Sequence, residues 1–336
     1  MKNRIWHIRN YNRKKFEHEI KRRRIRKQNR GNIVPKEKKI EEKTKYFDIK
    51  YTPICFDLLQ NTEECISFFN ELNDSLIHST VVKVNMRAIL QIDISAIIFY
   101  ISMLKNLRHR KLTYSLSGLL PTDENVLTYL RKTGFLKYFK SNVKSINSSD
   151  ENIMIKEGNI VLGAIAGQVC SFIQEKLNKS QQDTKLLYKM IIELMDNTKS
   201  HAYKNSQYVN NWYLYAEIQN NGNNNFVRVC FFDNGAGIPT TVNKTKREKF
   251  EYWISNSIGL DINAATSILE AAFNGAFKTE TLQQNRGKGL PLIKSLAEME
   301  EIKNLKVISN RAYYSLDKKE DINDSLQGTL YYWEVY

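Results

Sequence analysis

The chain has 336 residues and a net charge of +15. With 42% hydrophobic and 11% aromatic residues, 14 glycines and 5 prolines, it falls outside the collagen-like, proline-rich and wholly disordered classes. Its length suits about two domains.

The charge is unevenly placed. Residues 1–50 carry 19 Lys and Arg against 6 Asp and Glu, a net of +13, which leaves residues 51–336 near neutral at +2. Basic blocks such as Lys21-Arg22-Arg23-Arg24-Ile25-Arg26-Lys27 alternate with Trp6, Tyr11 and Phe16. Such an arm can neutralise nucleic-acid phosphates in a salt-dependent, sequence-blind way, and its aromatics can stack on unpaired bases. It can equally grip an acidic protein partner or an anionic membrane surface, or be a solvated tail. The start, Met1 to Trp6, has charge but no apolar run to follow it, so no secretory signal is expected. The longest apolar stretch, Ser95 to Leu104, is far short of the ~20 residues that cross a bilayer, so no transmembrane segment is expected either. Cys55, Cys65, Cys170 and Cys230 are scattered without a CxxC pair, and free buried thiols in a reducing cytoplasm are expected.

Residues 51–140 read as a small α/β domain. Val81 to Met86 is a β-branched strand, and Asp93 to His109 is a helix with apolar positions 97, 98, 101 and 104. Leu112 to Leu116 is a second strand. A helix starts near Pro121, runs to Lys132 and is closed by Gly134. Residues 141–158 are polar and turn-rich and read as a linker. Residues 159–336 form a second domain ending in a strand from Thr329 to Tyr336.

Three features of the second domain carry chemistry. A helix from about Thr184 to Tyr203 has an apolar face at 187, 190, 191, 194 and 198, while Glu193, Asn197 and His201 recur every fourth residue as a polar stripe. Such a stripe can hold a carboxylate base and an amide ligand for a hydrated metal in register, or be an exposed polar face. Next, the strand Phe226 to Phe232 runs into Asp233-Asn234-Gly235-Ala236-Gly237-Ile238-Pro239. Glycine at 235 and 237 lets a ligand approach the backbone, and Asp233 is a hydrogen-bond acceptor at the strand end. Third, Asn285-Arg286-Gly287-Lys288-Gly289-Leu290-Pro291 opens a helix, where bare N–H groups and two cations favour an anion. Walker A and Rossmann phosphate-binding patterns do not fit.

In this order the three features resemble the N, G1 and G2 boxes of the GHKL ATPases, the group of DNA gyrase, heat-shock chaperone, histidine kinase and mismatch-repair ATPases. The resemblance covers residues 159–336, and Gly328-Thr329 looks like that family's closing Gly-Thr. It implies an α/β sandwich of the Bergerat type that binds ATP and Mg²⁺. Asp233 would accept from the adenine amino group, with Thr329 supporting it through water, and Gly235 and Gly237 would shape the turn. Asn197 would be the Mg²⁺ ligand, and Glu193 would orient or deprotonate the attacking water. Arg286, Gly287, Lys288, Gly289 and Leu290 would make the phosphate-binding turn. His201 would pin the helix locally. The span Thr240 to Arg286, with a helix near Asp261 to Phe273, would be the ATP lid.

Residues about 80–138 resemble a STAS-type domain, carried by Ile92-Asp93-Ile94-Ser95-Ala96 and by Pro121 to Phe135. In STAS anti-anti-sigma factors the serine at the place of Ser95 is phosphorylated by a partner GHKL kinase. Here Ala96 stands where a glycine is usual, which favours a docking or structural role. The expected fold class is therefore α/β (α+β): a basic arm, a STAS-like domain and a GHKL-type sandwich. The expected function is a cytoplasmic, ATP-driven switch that acts on a protein partner, as in a bacterial stress or anti-phage response, with a nucleotide-dependent homodimer implied by the family. Two other readings stand beside it: a serine/threonine kinase of the anti-sigma type, and a nucleic-acid-binding module regulated by ATP. A sensor histidine kinase is disfavoured, because His7, His18, His78 and His109 lack a phospho-acceptor context.

Overall fold

The computed structural model describes residues 48–78, 81–110, 115–139, 150–200, 210–255, 261–277 and 289–336. The basic arm up to residue 47, His201, Arg286, Gly287 and Lys288 lie outside the described residues. The protein is mixed α/β, with two parallel sheets and one antiparallel sheet.

The first region runs β1 (Asp48–Tyr51), β2 (Cys55–Phe56), α1 (Thr62–His78), β3 (Val81–Asn85), β4 (Gln91–Ile92), α2 (Ile94–His109), β5 (Ser115–Leu119) and α3 (Glu124–Thr133). Strands β1-β3-β5 form a three-stranded parallel sheet, and β2 pairs with β4. Asp93 caps α2 by accepting from the Ser95 N–H at 2.8 Å. Helix α3 starts three residues past Pro121, because Asp123 accepts from the N–H groups of Asn125 and Val126 and so sets its first turn. Gly134 closes it at φ +82°, in the left-handed conformation a helix C-terminus favours. The strand expected at Leu112 to Leu116 is observed at Ser115–Leu119, with 111–114 outside the described residues.

The second region runs β6 (Asn152–Gly158), α4 (Gly163–Leu177), α5 (Lys185–Ser200), β7 (Trp212–Asn220), β8 (Asn225–Asp233), α6 (Ile238–Thr245), α7 (Arg247–Ser255), α8 (Ala265–Phe273), α9 (Gly289–Glu298), β9 (Lys303–Ser315) and β10 (Lys319–Val335). Its five-stranded antiparallel sheet has the order β6-β7-β8-β10-β9. Residues 152–158, expected in the linker, are the edge strand β6: Asn152 pairs opposite Glu217 and Gly158 opposite Trp212. The last strand begins at Lys319, well before Thr329, and reaches β9 through register shifts that interrupt its alternation.

The period-two alternation of the sheet places its two faces in two cores. Trp212, Leu214, Val229, Phe231, Tyr331 and Trp333 point to the side covered by α4, α5 and α9. Tyr213, Tyr215, Cys230, Phe232, Ile308 and Leu330 point to the other side and share a core with α1 and α2 of the first region. Because α2 lies between that sheet and the first region's own elements, it is buried on nearly every side, and its apolar residues do not keep to one stripe. The two regions thus meet across one side of the antiparallel sheet. Among the described residues no helix is long and apolar enough to cross a membrane.

Candidate functional site

On α5, Leu187, Met190, Ile191, Leu194 and Met195 are buried, and they turn Glu193 and Asn197 to the margin of the helix, partly exposed. The two lie one turn apart and meet the first residue of α9. A Cβ placed on Gly289 would lie 3.3 Å from Asn197 Nδ2 and 3.3 Å from both Cβ and Oε2 of Glu193. Glycine at this position lets the start of α9 come close to the α5 stripe. The first N–H groups of α9 have no partners within their own helix, so this end favours an anion. Leu290 is partly buried against the core, so it is its backbone that could serve a polar ligand.

Strand β8 delivers Asp233. Since Val227, Val229 and Phe231 face α5 and α9, the alternation puts Asp233 on that same side of the sheet. Thr329 of β10 stands directly opposite it. The Asp233 carboxylate accepts from the Gly235 N–H at 3.0 Å. Burial pushes its carboxyl up to about 7, partly offset by that N–H and by the Thr329 hydroxyl. Thr329 also shares a 2.9 Å hydrogen bond with Ser309, whose Oγ in turn accepts from the Ile238 N–H at 2.9 Å.

Gly237 has φ +82°, and the Asn310 side chain occupies the place where a Cβ would go. Asn310 Nδ2 donates to the Ala236 carbonyl at 2.9 Å, and its Oδ1 accepts from the Thr240 N–H at 3.1 Å. The turn after Asp233 is therefore clamped from β9 by Ser309 and Asn310, neither of which the motif reading found. The available signal was an Asn, a residue depleted in strands, within an apolar strand run; here it takes φ +53°.

The span expected as a lid has more structure than a single helix. Helices α6, α7 and α8 share a small core of Val242, Phe250, Ile254, Ile268 and Phe277. Phe273 of α8 stacks on Tyr314 of β9 at 4.6 Å, which fastens this end of the span to the sheet. Residues 256–260 and 278–288 lie outside the described residues.

On the opposite face of the sheet, Arg228 is held by Asp93 at 2.9 Å, by Glu217, and by the Tyr129 hydroxyl at 2.8 Å. Beside it a cavity of about 460 Å³ opens between the two regions, with Asp57, Asp93, Arg228 and Lys306 in its wall. Ser95 is fully buried here. Its Oγ donates to Asp57 Oδ1 at 3.3 Å and accepts from the Leu58 N–H at 3.2 Å. Burial and the nearby Asp93 charge push the Asp57 carboxyl up to about 6. Comparison with models of known protein families and with curated proteins gives no match.

Proposed function

We propose that the second region binds Mg²⁺-ATP in the manner of the GHKL ATPases and hydrolyses it as a nucleotide-driven switch that acts on a protein partner. The observation that carries this reading is the meeting of Glu193, Asn197 and the N-terminus of α9 at Gly289, on the sheet side to which Asp233 and Thr329 project. The donor set suits the ligand. Asn197 offers a hard oxygen atom to Mg²⁺, which takes few protein ligands beside phosphate and water, and Glu193 one turn away offers a carboxylate base. The α9 N-terminus suits a phosphate. When bound, Mg²⁺-ATP would supply the phosphoanhydride to be cleaved and the charge that activates it.

In this reading Asp233 accepts a hydrogen bond from the base amino group, and the Thr329 hydroxyl, itself bonded to Ser309, supports the Asp233 carboxylate. Asn197 holds the metal, and Glu193 orients a water and takes its proton. Arg286, Gly287 and Lys288, which lie outside the described residues, would serve the phosphates as the resemblance implies. The first region, STAS-like in this reading, is the docking layer, and the basic arm is the route to an acidic partner or a nucleic acid.

The test is Mg²⁺-ATP binding and phosphate release by wild type beside Glu193→Ala, each with and without DNA or RNA. Glu193→Ala should bind ATP and release no phosphate. Transfer of the γ-phosphate to protein in place of its release would move the reading to a kinase, and no binding by the wild type would end it.

A further inference from the structure

Helix α2 and strand β8 run alongside one another and are joined near both ends by polar contacts, one partly buried and one buried. At one end Asp93, the N-cap of α2, accepts from Arg228 Nη1 at 2.9 Å. At the other, Asn234 Nδ2 donates to Asn106 Oδ1 at 3.2 Å. From Asp93 to Asn106 the helix covers about 20 Å at ~1.5 Å per residue, and from Arg228 to Asn234 the strand covers about 20 Å at ~3.3 Å per residue. The two spacings match, so both contacts form without stretch. Between them Phe99 meets Phe232 edge-on, with ring centroids 5.5 Å apart.

Asn234 directly follows Asp233 and, by the alternation of the strand, turns to the opposite side of the sheet. It is 1% exposed and both ends of its amide are engaged: Oδ1 accepts from the Asn211 N–H at 2.7 Å while Nδ2 donates to Asn106. One residue thus faces the candidate nucleotide and the next is bonded to the first region. A ligand that orders the turn from Asp233 to Gly237 also orders the partner of Asn106, and opening of the last turns of α2 must break that bond.

We propose that α2 reports occupancy of the nucleotide site to the first region through the Asn234–Asn106 hydrogen bond. This rests on the nucleotide reading above. The coupling is reciprocal, so a partner that fixes α2 from the first region raises nucleotide affinity by the same factor.

The test is amide hydrogen exchange of the full chain, with and without a non-hydrolysable Mg²⁺-ATP analogue, beside calorimetric titration of the same analogue. In wild type, the analogue should slow exchange in residues 104–109 by about fivefold or more. Asn106→Ala should bind the analogue and lose that slowing, and Asn106→Asp, whose carboxylate accepts the same bond, should regain it. Lys105→Met removes a different tie between α2 and the sheet, to Glu157, and should keep the response. Cooperative thermal melting of each variant establishes that it folds. Binding of the analogue with no response in wild-type α2, or an equal response in Asn106→Ala, overturns the coupling alone. Absence of binding by wild type overturns the nucleotide reading and the coupling with it.

Discussion

Gly328 takes φ +116°, and a side chain there would run into the backbone carbonyl of Asp233 and the ring of Phe232. The close approach brings β10 against the end of β8, where Thr329 stands opposite Asp233. Gly328→Ala should therefore cost at least about 2 kcal/mol, from the unfavourable φ and the displaced carbonyl together. It should also weaken ATP binding by moving Asp233. Urea denaturation and calorimetric titration measure the two effects. A stability within about 0.5 kcal/mol of wild type would show that the strand end yields freely.

The raised Asp233 carboxyl has a definite sign in pH. Its folded value, about 7, lies above the ~3.9 of an unfolded aspartate. Between those values the unfolded chain has released a proton that the folded chain keeps, so stability falls as pH rises through that window and levels off above it. Asp57, pushed up to about 6, adds a fall of the same sign. Asp233→Asn should remove its own share of the slope, read as urea midpoints from pH 5 to pH 8. The ionised carboxylate is the stronger acceptor for a base amino group, so in the nucleotide reading ATP affinity should drop as pH falls below about 7, by at most about tenfold per unit. Asp233→Asn should lose ATP binding. Unchanged affinity in that variant would remove Asp233 from the site.

Much of the candidate site was legible because its residues repeat at helical or strand spacing. Glu193 and Asn197 follow a period of four on a helix whose apolar face is plain, and Asp233 ends a run whose alternation fixes its side of the sheet. Gly134 as a helix stop was legible for the same local reason, whereas Asp93, read as the first residue of its helix, is the cap that precedes it. What stayed hidden depends on contacts distant in sequence. Ser309 and Asn310 clamp the turn from about seventy residues away, a separation at which spacing carries no signal. Strand β6 looked like a linker because it is an edge strand whose polar residues, such as Glu157 and Asn152, bond to Lys105 and to the Lys132 carbonyl of the first region. The common core of the two regions was likewise invisible: apolar residues on both sides of a strand announce burial without saying against what.

Arg228 shows how much one cross-region contact carries. Asp93 and Glu217 have side chains only 7% and 8% exposed, and both bond the same guanidinium. Replacing Arg228 with Met would leave the two carboxylates buried without their counter-charge. The expected loss is about 3–5 kcal/mol in urea denaturation, with Asp93 and Glu217 bearing the cost. A loss below about 1 kcal/mol would mean that water from the adjoining cavity solvates the acids well enough to stand in for the arginine.

Ser95 is the residue at which the STAS resemblance makes its most specific suggestion, and its surroundings argue for a structural part. The hydroxyl is fully buried, pinned between Asp57 and the Leu58 N–H, with Asp93 one turn-start away. A phosphate there would add negative charge beside two carboxylates at a fully buried side chain, where an unpaired charge is costly. Ser95→Ala should lose about 1 kcal/mol, the worth of its hydrogen bonds. Ser95→Asp should lose more than about 3 kcal/mol, because the new carboxylate must either stay protonated or force the start of α2 open. Both losses are read from urea unfolding, and mass spectrometry of the folded protein after incubation with ATP should find Ser95 unmodified. Phosphate on Ser95 under native conditions would mean that the N-terminal turn of α2 opens readily, and the structural role assigned to this hydroxyl would fall.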